Sequence, residues 1–304
     1  MKNNPLIILM FSVTALSVVS CGNEVEEKEN TQSNKPLEVA DSNLVRKSDS
    51  WIKERVSNAE EKLNSTEGGK LVWQSMQAHG GLENWFNKGV ISFRFDYMPL
   101  KGGERKSISQ IDIWNNKAVH QDVLDAEDTF GWDGENAWLH RNDTMQFPYD
   151  VKFWALTPYY FLGQPFIFDG EGVQIEKLAD LTFEGKAYDA VKITFEAGTG
   201  DAPDDYYINL YEKETHLLKV LKYIVSYPAY FKDGGHSPEK TMVLYDLVDI
   251  EGIKLPTRYE TIMFKDETDS LGMKVTDVIA SQIAFLPTLE NKYFEMPDGA
   301  ELVK

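Results

Sequence analysis

The chain has a single cysteine, Cys21, among 304 residues. One cysteine excludes an internal disulfide framework, a CxxC redox pair and a cysteine-rich zinc site. Basic residues are also scarce, with 31 Lys and Arg against 49 Asp and Glu and a formal charge of −18. Nucleic acid and anionic headgroups repel such a surface, and no basic patch offsets it, so nucleic-acid binding is set aside. No apolar run is long enough to span a bilayer comfortably. The five histidines, at 79, 120, 140, 216 and 236, have no metal-ligand spacing, and HExxH and GxSxG are both missing. No cofactor is implied.

What is present begins with the first 20 residues. Lys2 precedes an apolar run from Leu6 to Val19, the pattern of an export signal. The run ends in Val18-Val19-Ser20-Cys21-Gly22, which resembles the lipobox of bacterial lipoproteins. That resemblance implies cleavage before Cys21 and acylation of its new N-terminus. At about 0.8 kcal/mol per buried methylene, several chains make a lasting anchor. Residues 21–50, with Glu24, Glu26, Glu27 and Glu29 and few apolar side chains, read as an acidic disordered tether. An acidic run after a lipidated cysteine also resembles the surface-export signal of some Gram-negative lipoproteins. The expected location is therefore the outer membrane, lipid-anchored, facing either the periplasm or the exterior.

Residues 51–304 read as one β-rich domain. Trp51, Ile52, Val56, Ala59 and Leu63 have helical spacing behind Ser50 as N-cap, and a second helix spans Glu67 to Gln77, ending at Gly80-Gly81. His79, at that helix end, reads as a capping side chain for free carbonyls. From Val90 onward the period is two. Ile91, Phe93, Phe95 and Tyr97 alternate with polar residues, and Trp132-Asp133-Gly134 marks a tight hairpin. The centre of the pattern is Asp204–Tyr227, two strands about the corner Glu212-Lys213-Glu214-Thr215. Two helices followed by many strands joined at short corners indicate an α+β fold dominated by an antiparallel sheet.

Several strands are apolar at both parities, as with Val220 and Ile224 against Leu221, Tyr223 and Val225. Either something covers each face, or the sheet curls around a hydrophobic hollow. The aromatic stretch 150–161, broken by Pro158, reads as a helix or folded loop plugging the sheet. Phe153, Trp154, Tyr159 and Tyr160 from that stretch, with Tyr206, Ile208, Tyr223 and Val225 from the hairpin, are the residues expected to line a ligand pocket.

A family resemblance follows from Ala78-His79-Gly80-Gly81 before Trp85, Gly131-Trp132-Asp133-Gly134, Gly172-Val173-Gln174-Ile175, and Asp205-Tyr206-Tyr207 through Glu214-Thr215. In this order the segments resemble the LolA/LolB-like lipoprotein carrier fold, and more closely an uncharacterised family of bacterial outer-membrane lipoproteins related to it. The resemblance implies a curved, unclosed antiparallel sheet that wraps N-terminal helices and leaves an apolar cavity for acyl chains. Its motifs are structural and not catalytic.

Other chemistries fare worse. Ser50 with Lys53 and Ser237 with Lys240 match S-x-x-K, but no K-T-G or S-D-N partner exists. Asp201, Asp204 and Asp205 lie close enough to hold Ca²⁺ together with backbone carbonyls, without EF-hand spacing; the alternative is a solvated loop. The reading is a non-enzymatic envelope protein that binds a lipid or the acyl part of a lipoprotein. Its rivals are a fully packed interaction module for other envelope proteins and a hydrolase with an unrecognised site. The sequence leaves the oligomeric state open.

Overall fold

The computed structural model describes residues 45–141, 147–200, 202, 204–265, 272–286 and 289–303. Cys21, the export signal, most of the tether and Asp201 lie outside them. The folded body starts before the expected boundary at residue 51. Val45 is buried and donates its N–H to the Leu289 carbonyl at 2.7 Å.

Three helices come first: α1 (Asp49–Asn64), α2 (Glu67–Ala78) and α3 (Leu82–Lys88). Ser48, not Ser50, caps α1 by accepting the Trp51 N–H at 3.2 Å, and Thr66 caps α2 through the Gly69 N–H at 3.0 Å. Five strands follow, β1 (Val90–Pro99), β2 (Arg105–Asp112), β3 (Lys117–Asp122), β4 (Thr129–Trp132) and β5 (Ala137–His140). Then come α4 (Val151–Trp154), α5 (Thr157–Leu162) and a 3₁₀ turn at Phe166–Phe168. The second half supplies β6 (Val173–Lys177), β7 (Leu181–Phe183), β8 (Lys186–Phe195), β9 (Tyr206–Glu212) and β10 (Leu218–Tyr223). It ends with β11 (Lys240–Ile250), β12 (Ile253–Met263), β13 (Met273–Leu286) and β14 (Glu301–Val303). Among the described residues no helix is long and apolar enough to cross a membrane.

The fourteen strands of the described residues join one antiparallel sheet in the order β14-β5-β4-β3-β2-β1-β13-β12-β11-β10-β9-β8-β6, with β7 beside β8. The two end strands, β14 and β6, are not paired with each other, so the sheet is unclosed. Laid flat it would span about 60 Å at ~4.8 Å per strand. Yet side chains from α1, α2, α3, α5 and strands from β1 to β13 share one apolar core, which requires the sheet to curl around the helices. The helices lie across its breadth, α2 against β6 and β8 and α4 against β4 and β5. This is the unclosed, helix-wrapping sheet that the LolA/LolB-like resemblance implies.

Two of the quoted motifs have clear physical reasons. At the β4–β5 corner, the Asp133 carboxylate accepts the N–H groups of Glu135 (2.8 Å) and Asn136 (2.7 Å) while Gly134 takes φ +105°. Gly131, one residue before Trp132, leaves space that the Trp138 ring fills; a Cβ there would collide with it. At the end of α2, Gly80 (φ +121°) lies against the Gly252 carbonyl so closely that a Cβ has no room.

The two-sided strands resolve in both of the ways considered. Leu221 and Tyr223 face inward to the main core. Ala190, Leu210, Val220 and Val243 form a separate buried patch on the outer face, shielded by larger neighbours such as Phe183, Ile208 and Tyr245. β10 also ends at Tyr223, so Ile224 leaves the strand alternation expected for it.

His79 corrects the capping reading. It sits at the C-cap position of α2, but its ring turns away from the helix carbonyls. Nδ1 meets the Lys254 carbonyl at 2.8 Å, so it carries the proton, and Nε2 accepts the Leu218 N–H at 3.1 Å. His120 is fixed in the opposite tautomer: Nε2 donates to the Ala155 carbonyl (2.7 Å) and Nδ1 accepts from the Ser109 hydroxyl (2.8 Å). Burial pushes both pKa values down to about 4. The unfolded chain, with imidazoles near 6.5, binds more protons between these values, so stability falls as pH drops from about 6.5 toward 4. At ~1.4 kcal/mol per pKa unit, each ring contributes up to about 3 kcal/mol to that loss. In NMR titrations, two of the five imidazoles should keep neutral chemical shifts down to pH 5. Titration of His79 and His120 near 6.5 would refute the assignment.

Candidate functional site

The segment from Asp150 to Asp169 lies on the concave side of the sheet as a plug. Its helices are short because the sequence keeps restarting them. Asp150 caps α4 through the Phe153 N–H at 2.9 Å, and Pro158 occupies the first turn of α5, where its missing N–H costs nothing. The Thr157 hydroxyl donates to the Phe153 carbonyl at 2.5 Å, joining the two turns.

Three polar contacts pin the plug. His120 of β3 holds the Ala155 carbonyl. Asn209 of β9 donates to the Gln164 side-chain oxygen at 3.0 Å, while Gln164 donates to the Tyr160 carbonyl at 2.9 Å. Arg55 of α1 donates to the Asp169 carboxylate at 2.5 Å. Asn209 and Gln164 are both buried, which explains the strand parity: an amide whose nitrogen donates to Gln164 and to the Tyr211 hydroxyl faces inward on β9 where the pattern suggested an outward one.

Between these pins the plug does not fill the sheet. A cavity of about 360 Å³ separates α4 and α5 from the inner face of β9 and β10; Phe153, Phe161, Tyr207, Tyr223 and Val225 form its apolar wall. A second, of about 320 Å³, reaches toward Trp85, Trp114 and Phe166, and Tyr160 and Tyr207 line both. A third, of about 280 Å³, shares Phe153, Phe161, Tyr223 and Val225 with the first and adds Tyr97 and Trp154. Each lies near or within the range of about 300–1,000 Å³ common for small-molecule sites. Burial raises the Tyr207 and Tyr223 phenols well above the ordinary range, so both are neutral donors at any physiological pH. Asp205, on the wall of the first two cavities, is raised by burial although the Ser226 N–H and hydroxyl bond to it.

Six of the eight expected lining residues border these cavities. Phe153, Tyr160, Tyr223 and Val225 border the first, Tyr159 the second and Trp154 the third. Tyr206 and Ile208 do not. They lie on the outer face, Tyr206 donating to Glu239 at 2.8 Å and Ile208 packing on the outer patch. Period-two reasoning chose the more apolar parity of β9, and the inward set is Tyr207, Asn209 and Tyr211. Ile224 lines the first cavity beside Tyr223, not an opposite face. Trp132 of the hairpin corner and Asn116 also reach the wall, which their positions in tight turns concealed.

Among the described residues these contacts do not assemble a catalytic constellation. The Ser237 hydroxyl accepts the Val225 N–H at 3.0 Å and donates to the Pro238 carbonyl at 3.1 Å, so its proton is held by the backbone. Ser50 bonds the Ser48 hydroxyl at an exposed helix start. Asp204 is exposed, and among the described residues no three His, Cys, Asp or Glu side chains converge as a metal site.

No family model matches the chain, and no curated protein matches it at a significant level. Solved structures similar to it include a LolA superfamily protein from Nitrosomonas europaea, 11% identical over 75% of this chain and 97% of that one, with a TM-score of 0.48. Another is a DUF1329 family protein from Desulfovibrio piger, 12% identical over 80% of this chain and 97% of that one, with a TM-score of 0.47.

Proposed function

We propose that the chain is a lipid-anchored envelope protein that binds a hydrophobic ligand, a lipid or an acyl chain, without chemical turnover. One observation carries the binding half: adjoining aromatic cavities inside a curled sheet, bounded by a plug that is pinned at three points and unpacked between them. A packed core approaches crystal density with few voids larger than a water molecule, so repeated voids of this size among Tyr, Phe and Trp are a feature of binding sites. The lipobox-like segment ending at Cys21 supports the anchoring half, and the acidic composition of residues 21–50 fits a tether behind it.

Val225 tests the binding reading because it borders two of the cavities. The purified, delipidated chain should take up a fluorescent fatty acid in competition with phospholipid. Val225→Trp should reduce that uptake at least tenfold while the overpacking costs about 1–3 kcal/mol and leaves the chain folded. Absence of uptake by the wild-type chain, together with no co-purified lipid in native mass spectrometry, would favour the interaction module instead.

The anchor has its own check. Cys21→Ala should shift the protein from the membrane to the soluble envelope fraction and abolish incorporation of labelled fatty acid. Unchanged membrane association of the variant, with no label in the wild type, would refute it.

A further inference from the structure

Two cations, Arg105 and Lys240, border the third cavity, and neither has an ion-pair partner among the described residues. Arg105 begins β2 directly across from Tyr97, and Lys240 begins β11 directly across from Tyr223. The Arg105 guanidinium lies 4.7 Å from the Trp154 ring centroid and 5.3 Å from that of Tyr97. Its Nε is buried with no hydrogen-bond partner among the described residues. The Lys240 ammonium lies 5.6 Å from the Tyr223 ring centroid. Among the described residues it too makes no ion pair or hydrogen bond. Burial lowers its pKa, with the Asp205 carboxylate pulling weakly the other way.

Such neglect is unusual in a chain with 49 acidic residues. Among the described residues, nearby carboxylates hold hydrogen bonds to neutral groups and none bonds either cation. Asp150 caps α4, Asp205 holds Ser226, and Asp122 takes the N–H groups of Leu124 and Asp125 and the Tyr149 hydroxyl. Ring faces soften the cost of burying a cation by only about 0.5–2 kcal/mol, less than a desolvated charge loses without a counter-ion. An anion arriving with a ligand would satisfy both groups at once.

We propose that the third cavity holds the anionic head of an amphiphile, a carboxylate or a phosphate monoester, between Arg105 and Lys240. Its hydrocarbon tail then runs into the first cavity along the wall shared by Phe153, Phe161, Tyr223 and Val225. This rests on the hydrophobic-ligand reading above and adds the head-group class to it. Arg105 supplies a planar fork suited to two oxygens, and Lys240 a point charge. Aromatic rings flank both cations and lower the local dielectric, which strengthens both contacts.

The test uses the delipidated full chain and displacement of a fluorescent fatty acid by unlabelled competitors matched in tail. Oleate and lysophosphatidate should each displace the probe at least about tenfold better than methyl oleate, the yield of one or two charge-assisted hydrogen bonds. The better of the two acids identifies the head as carboxylate or phosphate. Lys240→Met and Arg105→Gln should each lower oleate affinity about tenfold and leave methyl oleate unchanged. Arg105→Lys, which keeps the charge, should restore part of the loss and guards against a folding defect in the Gln variant. Equal displacement by methyl oleate and oleate would overturn the head-group proposal while leaving the cavity reading intact. Failure of every tailed competitor and of the probe to bind would overturn both.

Discussion

A single neutral imidazole joins the three parts of this structure. His79 ends α2, and its ring donates to β12 at Lys254 and accepts from β10 at Leu218. The Lys254 N–H returns a bond to the His79 carbonyl at 2.8 Å, so helix and strand hold each other through both backbone and side chain. Gly80 lets the two chains approach that closely. Were the ring charged, Nε2 would present a proton to the Leu218 N–H, and the clamp would repel instead of bind. Because α2 lies against β6 and β8 as well, the position of the helices on the sheet depends on that proton count.

The same logic of fixed points explains why space persists inside. The plug from Asp150 to Asp169 is anchored by His120, Asn209 and Arg55, from three separate elements. Each anchor is a directional polar contact whose removal leaves a buried group unsatisfied, at a cost of about 1–3 kcal/mol. Hydrophobic collapse alone would draw the plug onto the sheet. The anchors instead hold it at a set height, and the aromatic walls between them stay apart. The polar groups that a core usually avoids are here what keeps the apolar space open.

Most of the fold was legible because strand periodicity depends on local alternation. β1, β4 and the helices α1 and α2 fall within a few residues of where the pattern puts them. β7 and β14, three residues each, are too short to show a period. The cavity wall was legible where aromatics cluster, from Phe153 to Tyr160, and misread at Tyr206 and Ile208. There the inward parity is set by Asn209, whose partner Gln164 lies 45 positions away. Arg105 gave no signal and Lys240 only its S-x-x-K match, since a basic residue at the start of a strand ordinarily faces water. The His79 contacts span 139 and 175 positions, a distance no local pattern reports.

The pairing of β1 with β13 has a consequence for how the chain reaches this state. Val90 meets Leu286 and Pro99 meets Thr276, so the middle of the sheet is a seam between its first strand and almost its last. The strands β1 to β5 form one meander and β8 to β13 another, each built from neighbours in sequence. The two halves cannot be sewn together until nearly the whole polypeptide is available. Contacts of such long range are slow to form, because the closure entropy comes before the reward. A nascent chain of this design therefore stays unfinished along its centre, an edge strand exposed, until β13 arrives. Its completion waits on β13 and not on β1.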